Sequence, residues 1–446
     1  MKTCRKALIL GAGLSGLSAA QLLCAEGADV TVLDTRQESE LTQAHARLKD
    51  MGAHTRFGPG PFPQDDYDLC VVSPGIPASS EWVRTAFARC GEVIPEMELG
   101  WRHARVRTIA VTGSNGKSTA VKWCVESLQR AGRKSLAAGN YGVPVSTVAL
   151  DKPELDWLVI EVSSFQLETV RAFRPDIGVL LNVYPNHLDR HGTWSAYLDA
   201  KARLFAHARE SDTCLVPLNW LEECQTRSAG RGQWKTFGTE PEATYSARAG
   251  RVYRGDEALL DLSGTLFGQS GMADTACAVI GALDAAGIDV RYAAQAAETF
   301  EALPYRVQEI AVIDGVRYIN DSKSTNLAAI AHALRGVQGP VRLIAGGLAK
   351  EKDFESLKRG LSECVKCVYL IGKSAEQMCS VWSRDVPCVI CHTLDAALTR
   401  SRNDAQAGEA IVFSPGCASF DQFRNYEERG EHFTRRVIDL AGKGTS

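Results

Sequence analysis

Residues 108–119 read Thr-Ile-Ala-Val-Thr-Gly-Ser-Asn-Gly-Lys-Ser-Thr. The apolar residues ahead of the first glycine predict a strand that runs into a glycine loop, and Lys117 and Ser118 open the helix that follows. Gly113 and Gly116 let the backbone turn tightly, so that its N–H groups and the helix N-terminus can point at phosphate oxygens. The order of strand, loop, lysine and hydroxyl predicts an α/β domain that binds a nucleoside triphosphate.

This loop is not the general NTPase loop, because Val111 stands where that loop has its first glycine. Lys117 can still reach the β- and γ-phosphates of ATP, and the hydroxyl of Ser118 or Thr119 can hold Mg²⁺. A glycine turn that binds no ligand is the alternative. The predicted ATP-binding residues of the loop are Gly113, Ser114, Asn115, Gly116, Lys117, Ser118 and Thr119.

The composition is that of an ordinary globular protein, with 446 residues, 45% hydrophobic and 23% charged. From length alone we expect about three domains. The net charge of −3 gives no electrostatic footprint for nucleic acid or for a membrane surface. We find no signal peptide and no apolar run that approaches the ~20 residues of a membrane span. We therefore expect a cytoplasmic protein with neither a nucleic-acid nor a membrane partner.

The 14 cysteines are expected to be mostly buried apolar side chains in a reducing compartment. Cys364-x-x-Cys367 and Cys388-x-x-Cys391 nevertheless have the spacing of a zinc ribbon. Residues 365–371 and 386–390 predict β-strands, in which side chains three apart point to opposite faces. Zinc binding by these cysteines is therefore the less favoured alternative.

The N-terminal segment alternates strands and helices, which predicts a doubly wound sheet. Gly11-Ala-Gly13-Leu-Ser-Gly16 lies at the first strand–helix turn, and Asp34 ends the second strand. This pattern satisfies the dinucleotide fingerprint, including its acidic residue, and taken alone it favours an NAD-binding domain. The alternative is that the glycines serve only the packing of helix against sheet.

Two further α/β segments follow, and they meet near Leu303-Pro304. Residues 225–255, rich in Gly, Arg, Thr and Ser, predict loops and short edge strands. We predict an α/β protein of three domains. These are an N-terminal Rossmann-like domain (1–97), a central P-loop ATPase domain (98–303) and a C-terminal Rossmann-like domain (304–446).

Two side chains beyond the loop are candidates for the ATP site. Glu161 ends an apolar strand, where a Walker-B-type carboxylate beside the loop would hold a metal ion. His187 follows the carboxyl end of another buried strand, near the expected nucleotide crevice. Lys201 lies in a helical segment and, on its own, would be a solvated lysine.

Several strings together resemble the Mur ligases and their folylpolyglutamate synthetase relatives. Besides residues 112–119, they are Glu161-Val-Ser-Ser-Phe-Gln-Leu167, Asn186-His-Leu-Asp-Arg-His191 and Asp199-Ala-Lys-Ala-Arg203. Two C-terminal strings, Asn320-Asp-Ser-Lys-Ser-Thr-Asn326 and Ser414-Pro-Gly-Cys-Ala-Ser-Phe-Asp-Gln-Phe423, resemble the members that add D-glutamate. The resemblance runs through all three domains, from residue 6 to about residue 437.

The resemblance implies an ATP-dependent ligase of peptidoglycan precursor synthesis. ATP would phosphorylate the carboxylate of UDP-N-acetylmuramoyl-L-alanine, and the amine of D-glutamate would then displace phosphate from the acyl phosphate. It further implies two Mg²⁺ ions, one held by Ser118 and Glu161 and the other by His187. Lys201 matches a family lysine that is carbamylated, which would make it a further ligand of the second ion. We also expect a monomer.

The resemblance assigns three groups of binding residues. In the first domain it implies a site for uridine diphosphate, not NAD, with substrate-binding residues Leu14, Ser15, Thr35, Arg36 and Gly75, together with Asn140 of the central domain. Two further ATP-binding positions are matched by Asp274 and Arg306. The amino-acid substrate would bind Lys323, Thr325, Lys350, Ser419 and Tyr426.

The chain departs from the family pattern around the expected adenine site. Gly271-Met-Ala-Asp-Thr-Ala-Cys277 stands where Gly-x-His-Asn-x-x-Asn is expected, and Tyr305 replaces a histidine. Leu348 also replaces a common acidic residue near Lys350. The changes at residues 271–277 and at Tyr305 affect base recognition, while the phosphate loop is intact.

Two other classes of function, and a rival within the same class of enzyme, compete with this one. An NAD-dependent oxidoreductase would account only for the first fifty residues. A non-catalytic Mur-like binding protein would account for the altered adenine region, but not for intact Lys117, Glu161, His187 and Lys201. Another amide ligase of the superfamily is the nearest rival, although the Asp-Asn-Pro-Arg-type string expected of a diaminopimelate or lysine adder is absent.

Overall fold

The computed structural model describes residues 4–349 and 353–443. The chain divides into two compact units. The first contains the described residues of Met1–Val183, Ser195–Gly268 and Ala273–Thr299; the second contains those of Tyr184–Trp194, Gln269–Met272 and Phe300–Ser446. Each predicted domain contains one β-sheet with helices, which confirms the α/β class. The domain bounds 1–97, 98–303 and 304–446 stay a prediction.

The N-terminal sheet is parallel, with strand order β3-β2-β1-β4-β5. Its strands are β1 (Lys6–Leu10), β2 (Asp29–Asp34), β3 (His54–Phe57), β4 (Tyr67–Val72) and β5 (Cys90–Pro95). Its helices are α1 (Leu14–Ala25), α2 (Thr42–Asp50), α3 (Glu81–Arg89) and α4 (Glu96–Ala104). Ile9 and Leu10 of β1 are buried in two different apolar clusters, one on each face of the sheet. Such a doubly wound sheet has its ligand crevice at the carboxyl ends of β1 and β4, where the strand order reverses.

The central sheet has the order β14-β13-β12-β11-β10-β9-β6-β8-β7. Its parallel strands are β6 (Arg107–Thr112), β7 (Ser135–Gly139), β8 (Trp157–Glu161), β9 (Ile177–Leu180), β10 (Thr213–Pro217), β11 (Gln233–Gly238) and β12 (Tyr245–Arg248). An antiparallel extension, β13 (Arg251–Arg254) and β14 (Glu257–Asp261), follows. Residues 225–255 do contain short strands, as predicted, but β11, β12 and β13 have neighbours on both sides, and the edge strand on this side of the sheet is β14, which begins at Glu257.

The helices of this central region differ widely in length. They are α5 (Lys117–Arg130), α6 (Val145–Asp151), α7 (Ser164–Leu167), α8 (Leu188–His191), α9 (Trp194–Ala202), α10 (Leu221–Arg227), α11 (Ala273–Ala285) and α12 (Arg291–Glu298). Strands β6, β8 and β9 are neighbours in the sheet, so residues that follow their carboxyl ends meet at one edge.

The C-terminal sheet has the order β15-β16-β20-β17-β18-β19, and only the β15–β16 pair is antiparallel. Its strands are β15 (Gln308–Ile313), β16 (Val316–Asn320), β17 (Val341–Gly346), β18 (Val365–Ile371), β19 (Cys388–His392) and β20 (Ala410–Phe413). The accompanying helices are α13 (Leu327–Gly336), α14 (Lys358–Cys364), α15 (Ala375–Trp382), α16 (Leu394–Asp404) and α17 (Tyr426–Lys443). Within residues 4–349 and 353–443, we find no helix with both the length and the apolar character of a membrane span.

The cysteines with zinc-ribbon spacing lie on opposite faces of this C-terminal sheet. Cys364 and Cys388 pack against the apolar cluster on one face, whereas Cys367 and Cys391 belong to the cluster on the other. The strand predicted over 386–390 is wrong in its bounds, because β19 runs from Cys388 to His392. Proline has no N–H to donate to a neighbouring strand, and this strand begins directly after Pro387.

Candidate active site

The phosphate loop joins β6 to α5 by a turn in which both glycines are required. Gly116 adopts a left-handed φ of 80° and caps α5, which begins at Lys117. A Cβ atom on Gly113 would lie only 3.0 Å from Cβ of Leu181. The sequence therefore folds as predicted from strand through loop to helix, with the loop at the carboxyl end of β6.

Two residues to which sequence reasoning assigned no role hold this loop in place. The side-chain oxygen of Asn182 accepts hydrogen bonds from the backbone N–H of Ser114 (3.1 Å) and Asn115 (2.9 Å). The hydroxyls of Ser114 and Tyr197 lie 2.8 Å apart. Asn182 follows β9, a direct neighbour of β6, so its place after that strand is the signal that could have identified it.

Lys117 lies folded over its own loop. Its Nζ donates hydrogen bonds to the backbone oxygens of Gly113 (2.9 Å) and Ser114 (3.1 Å). An ammonium held by carbonyl oxygens is placed beside the loop N–H groups, where an anion would bind. The structure thus brings the predicted lysine and the predicted loop together.

Ser118, Glu161 and Asn140 form a continuous hydrogen-bonded set. The Ser118 hydroxyl donates to Oε2 of Glu161 at 2.5 Å, and the Asn140 side-chain amide donates to Oε1 at 2.7 Å. Glu161 is only 2% exposed. A buried carboxylate next to a hydroxyl is the set of hard oxygen donors that Mg²⁺ prefers, so these residues fit the predicted metal.

Lys201 is not the solvated helix lysine that its local sequence suggested, since it is 1% exposed. Its Nζ lies 4.7 Å from the centre of the Tyr197 ring. Burial, followed by the positive charge of Lys117, holds the pKa of Lys201 well below its usual range. This environment favours a neutral amine, which is the reactive form of lysine.

In the N-terminal glycine turn, Gly16 is closely packed, whereas Gly13 faces open space. A Cβ on Gly16 would lie 1.8 Å from the backbone oxygen of Gly11, whereas a Cβ on Gly13 would meet nothing within 4 Å. The predicted ligand residues Leu14 and Gly75 are exposed, and Ser15 is partly buried. The turn therefore requires Gly16 for packing and leaves the surface around Gly13 accessible.

Asp34 and Arg36 form a pair that the dinucleotide fingerprint did not predict. The Asp34 carboxylate accepts from the backbone N–H of Ala12 at 2.8 Å and from the Arg36 guanidinium at 2.9 and 2.6 Å. Although burial acts the other way, the bonds from Arg36 and Ala12 lower the pKa of Asp34. Asp34 thus fastens the turn and orients Arg36, and exposed Thr35 lies between them.

The second unit gathers four of the five predicted amino-acid-binding residues. Lys323 Nζ lies 3.5 Å from the centre of the Tyr426 ring, within the range of a cation–π contact. Thr325 is partly buried two residues after Lys323, and Ser419 is buried after β20. Lys350, the fifth, lies outside the described residues.

Sequence reasoning missed two buried ionisable groups in the second unit. Asp321 accepts hydrogen bonds from the Ser414 hydroxyl (2.7 Å) and the Val307 N–H (3.2 Å), and burial raises its pKa to about 7. Arg429 donates to the backbone oxygens of Cys417 and Ser322, and burial lowers its pKa to about 10. Asp321 belongs to the string Asn320–Asn326, but the sequence alone does not predict that it is buried.

The remaining predicted residues lie at the ends of elements. His187 precedes α8 with a left-handed φ of 56° and belongs to the second unit. Asp274 is exposed in the first turn of α11, whose neighbouring Thr275 lies beside Gly116 of the phosphate loop. Arg306 is partly buried in the second unit, and Thr119 lies in the first turn of α5.

Tyr305 gives a structural account of one departure from the expected pattern. Its ring packs against α17, because a Cβ on Gly430 would lie 2.4 Å from it. Cys277 is buried and donates to the backbone oxygen of Gly238 at 3.6 Å. Tyr305 and Cys277 therefore each pack against residues of their own unit.

Family models match three successive parts of the chain. They describe a MurD-like N-terminal domain of Mur ligases (residues 5–95), a Mur ligase middle domain (111–282) and a Mur ligase glutamate ligase domain (305–417). The UDP-N-acetylmuramoylalanine–D-glutamate ligase of Acidobacterium capsulatum is 36% identical over 98% of this chain and 97% of its own length. The chain belongs to the Mur ligase family.

A further relative agrees with that placement, and solved structures share the fold. A protein of the same name from Legionella pneumophila is 34% identical over 97% of this Mur ligase and 99% of its own length. In fold, this Mur ligase is similar to the Thermotoga maritima MurF ligase solved with ADP, with a TM-score of 0.62, 16% identity and coverage of 92% and 96% of the two chains. The UDP-N-acetylmuramate–alanine ligase MurC of the same organism has a TM-score of 0.59, 15% identity and coverage of 98% and 100%.

Proposed function

We propose that this Mur ligase joins D-glutamate to UDP-N-acetylmuramoyl-L-alanine at the expense of ATP, in cytoplasmic synthesis of the peptidoglycan precursor. The observation that carries the proposal is the full-length similarity to relatives named for this reaction. The reaction is balanced when ATP, the substrate carboxylate and the amine give an amide, ADP and phosphate. The protein would act as a monomer on these small molecules.

The triphosphate of ATP would bind at the phosphate loop. The loop N–H groups and Lys117 would surround its terminal phosphates, because Lys117 lies over the same backbone turn. Phosphoryl transfer depends mainly on positioning and on charge neutralisation. Asp274 and Arg306 are the further residues that we assign to the nucleotide.

Ser118 and Glu161 would hold one Mg²⁺ ion, which supplies positive charge to the phosphate oxygens during transfer. Their side-chain oxygens lie 2.5 Å apart, and both residues are buried within the first unit. We assign Asn140, which donates to Glu161, to the neighbourhood of the substrate carboxylate that attacks the γ-phosphate. The product of that attack is an acyl phosphate.

Lys201 would be carbamylated and, with His187, would hold a second Mg²⁺ ion. A neutral amine can add to carbon dioxide with loss of one proton, and burial beside Lys117 favours the neutral form of Lys201. The carbamate formed in this way is an anionic oxygen ligand at a position where an ammonium would repel the metal.

The two substrates that are joined would bind to different groups of residues. We assign Leu14, Ser15, Thr35, Arg36 and Gly75 to the uridine diphosphate, for which Arg36 offers a guanidinium already oriented by Asp34. For D-glutamate we assign Lys323, Lys350, Thr325, Ser419 and Tyr426. Two lysines match the two carboxylates of this amino acid.

The proposal is tested by phosphate release from ATP in the presence of UDP-N-acetylmuramoyl-L-alanine, with each common amino acid and D-glutamate added in turn. We expect release that depends on both substrates and is selective for D-glutamate, together with a product whose mass equals the two substrates joined with loss of water. Selective turnover of a diamino acid would instead indicate another ligase of the family. Absence of turnover with every acceptor, despite substrate binding, would indicate a binding protein.

A further inference from the structure

The first unit contains a cavity of about 480 Å³ that none of the assigned substrates uses. It is lined by Trp101, Arg102, Ala172, Arg174, His207 and Arg209. Small-molecule sites in proteins commonly measure ~300–1,000 Å³, so the cavity has the size of a ligand site.

The cavity lies at the amino ends of strands in the central sheet, whereas the phosphate loop lies at the carboxyl ends. Arg174 comes shortly before β9 and Arg209 shortly before β10, so both lie at the amino ends of these strands. The phosphate loop follows the carboxyl end of β6, which runs parallel to β9. At ~3.3 Å per residue, a six-residue strand separates the two edges by roughly 20 Å.

The lining is positively charged and contains no carboxylate among these described residues. Glu92 and the buried Glu98 hold the Arg102 guanidinium through bonds of 2.5 to 3.0 Å, whereas Arg174 is paired only loosely, at 3.3 and 3.5 Å from the Asp212 oxygens. His207 and Arg209 are exposed, and in the described part of the chain their side chains form no hydrogen bond or ion pair. The cavity can therefore offer guanidinium N–H groups to an anion.

An indole completes the lining. Trp101 is half-buried, and its ring meets the buried Phe173 edge to face, with centroids 5.3 Å apart and planes at 79°. That contact fixes the indole beside the arginines. A rigid aromatic ring next to guanidinium groups suits a ligand that has a flat ring and an attached negative charge.

We propose that this cavity binds a small organic anion in which a heteroaromatic ring and a phosphate are joined, the class to which nucleoside monophosphates belong. The phosphate would lie against Arg174 and Arg209, and the ring against Trp101. Inorganic phosphate offers the charge without the ring, and a free nucleoside offers the ring without the charge. Each should therefore bind more weakly than the combined molecule.

Calorimetric titration of the full chain with cytidine 5′-monophosphate, cytidine and inorganic phosphate tests this proposal. Cytosine is used because the catalytic substrates carry adenine and uracil. We expect the monophosphate to bind at least about tenfold more tightly than either part. Arg209→Ala, which removes an exposed guanidinium from the cavity lining, should weaken that binding about tenfold or more.

Two controls locate the binding. Arg47→Ala removes an exposed arginine from α2 and should leave the titration unchanged. Lys117→Ala, which alters the phosphate loop, should also leave it unchanged. Equal binding by Arg209→Ala and the parent protein, loss of binding in Lys117→Ala, or equal affinity for phosphate and the monophosphate would each overturn the proposal.

Discussion

Lys117 is held over the phosphate loop by two backbone oxygens, so its charge is ready before any ligand arrives. Lys117→Ala should lower turnover by ~100-fold or more, because a positioned charge near the developing phosphate charge is lost. The fold should persist, since the glycines set the shape of the loop. Lys122→Ala is a matched control on the same helix, where Lys122 pairs with Glu126. Steady-state kinetics and circular dichroism of both variants check this, and near-normal activity of a folded Lys117→Ala protein would contradict the ATP assignment.

Lys201 is buried, although its local sequence predicts a solvated lysine on a helix. If it acts as a carbamate, Lys201→Ala should abolish activity, and short carboxylic acids added to the assay should restore part of it by filling the gap. The measurement is initial rate against acetate or formate concentration, with Lys152→Ala, an exposed lysine after α6, as the control. A fully active Lys201→Ala enzyme would rule out this role.

The β1–α1 turn makes a prediction at the scale of an element. Gly16→Ala should lower the free energy of unfolding by ~1–3 kcal/mol or more, because the new methyl group would overlap the backbone oxygen of Gly11. Gly13→Ala, three residues earlier, meets nothing within 4 Å and should leave stability nearly unchanged. Urea denaturation of the two variants distinguishes them. Equal stability would mean that the close approach of α1 to the turn is incorrect.

Helix α4 contacts α6 through the buried carboxyl group of Glu96, whose pKa is raised. Glu96 accepts from the backbone N–H of Ser146 at 2.7 Å, and burial raises its pKa from 4.5 to about 7. Because the folded-state pKa is the higher one, its contribution to stability is complete below pH 4.5 and is lost as the pH rises toward 7. Glu96→Gln, measured by denaturation at several pH values, should gain stability relative to the parent across this window, by up to ~1.4 kcal/mol per pH unit. A constant difference across the window would contradict the assignment.

At the scale of the whole molecule, the sequence predicted what depends on local pattern. The strand–loop–helix order around Lys117, the doubly wound N-terminal sheet and the three α/β segments follow from periodicity, glycines and turns, and the structure agrees. The strand that begins after Pro387 was misplaced because its start depends on one missing N–H group.

What the sequence did not predict depends on contacts between distant residues. Asn182 supports a loop residue 68 positions away, which requires the pairing of β6 with β9. The burial of Lys201 and the hydrogen bond from the Ala12 N–H to Asp34, 22 positions away, likewise depend on tertiary packing that no local pattern encodes. The binding residues themselves came from resemblance to a family, and their ligands stay a prediction.

The central claim is that the substrate carboxylate is activated as an acyl phosphate before D-glutamate attacks it. UDP-N-acetylmuramoyl-L-alanine labelled with ¹⁸O in its carboxylate, incubated with ATP, Mg²⁺ and D-glutamate, tests this directly. We expect each released phosphate to carry one ¹⁸O atom from the carboxylate and one amide product to form per phosphate. Phosphate without the label, or labelled phosphate that forms equally well with L-alanine in place of D-glutamate, would contradict it.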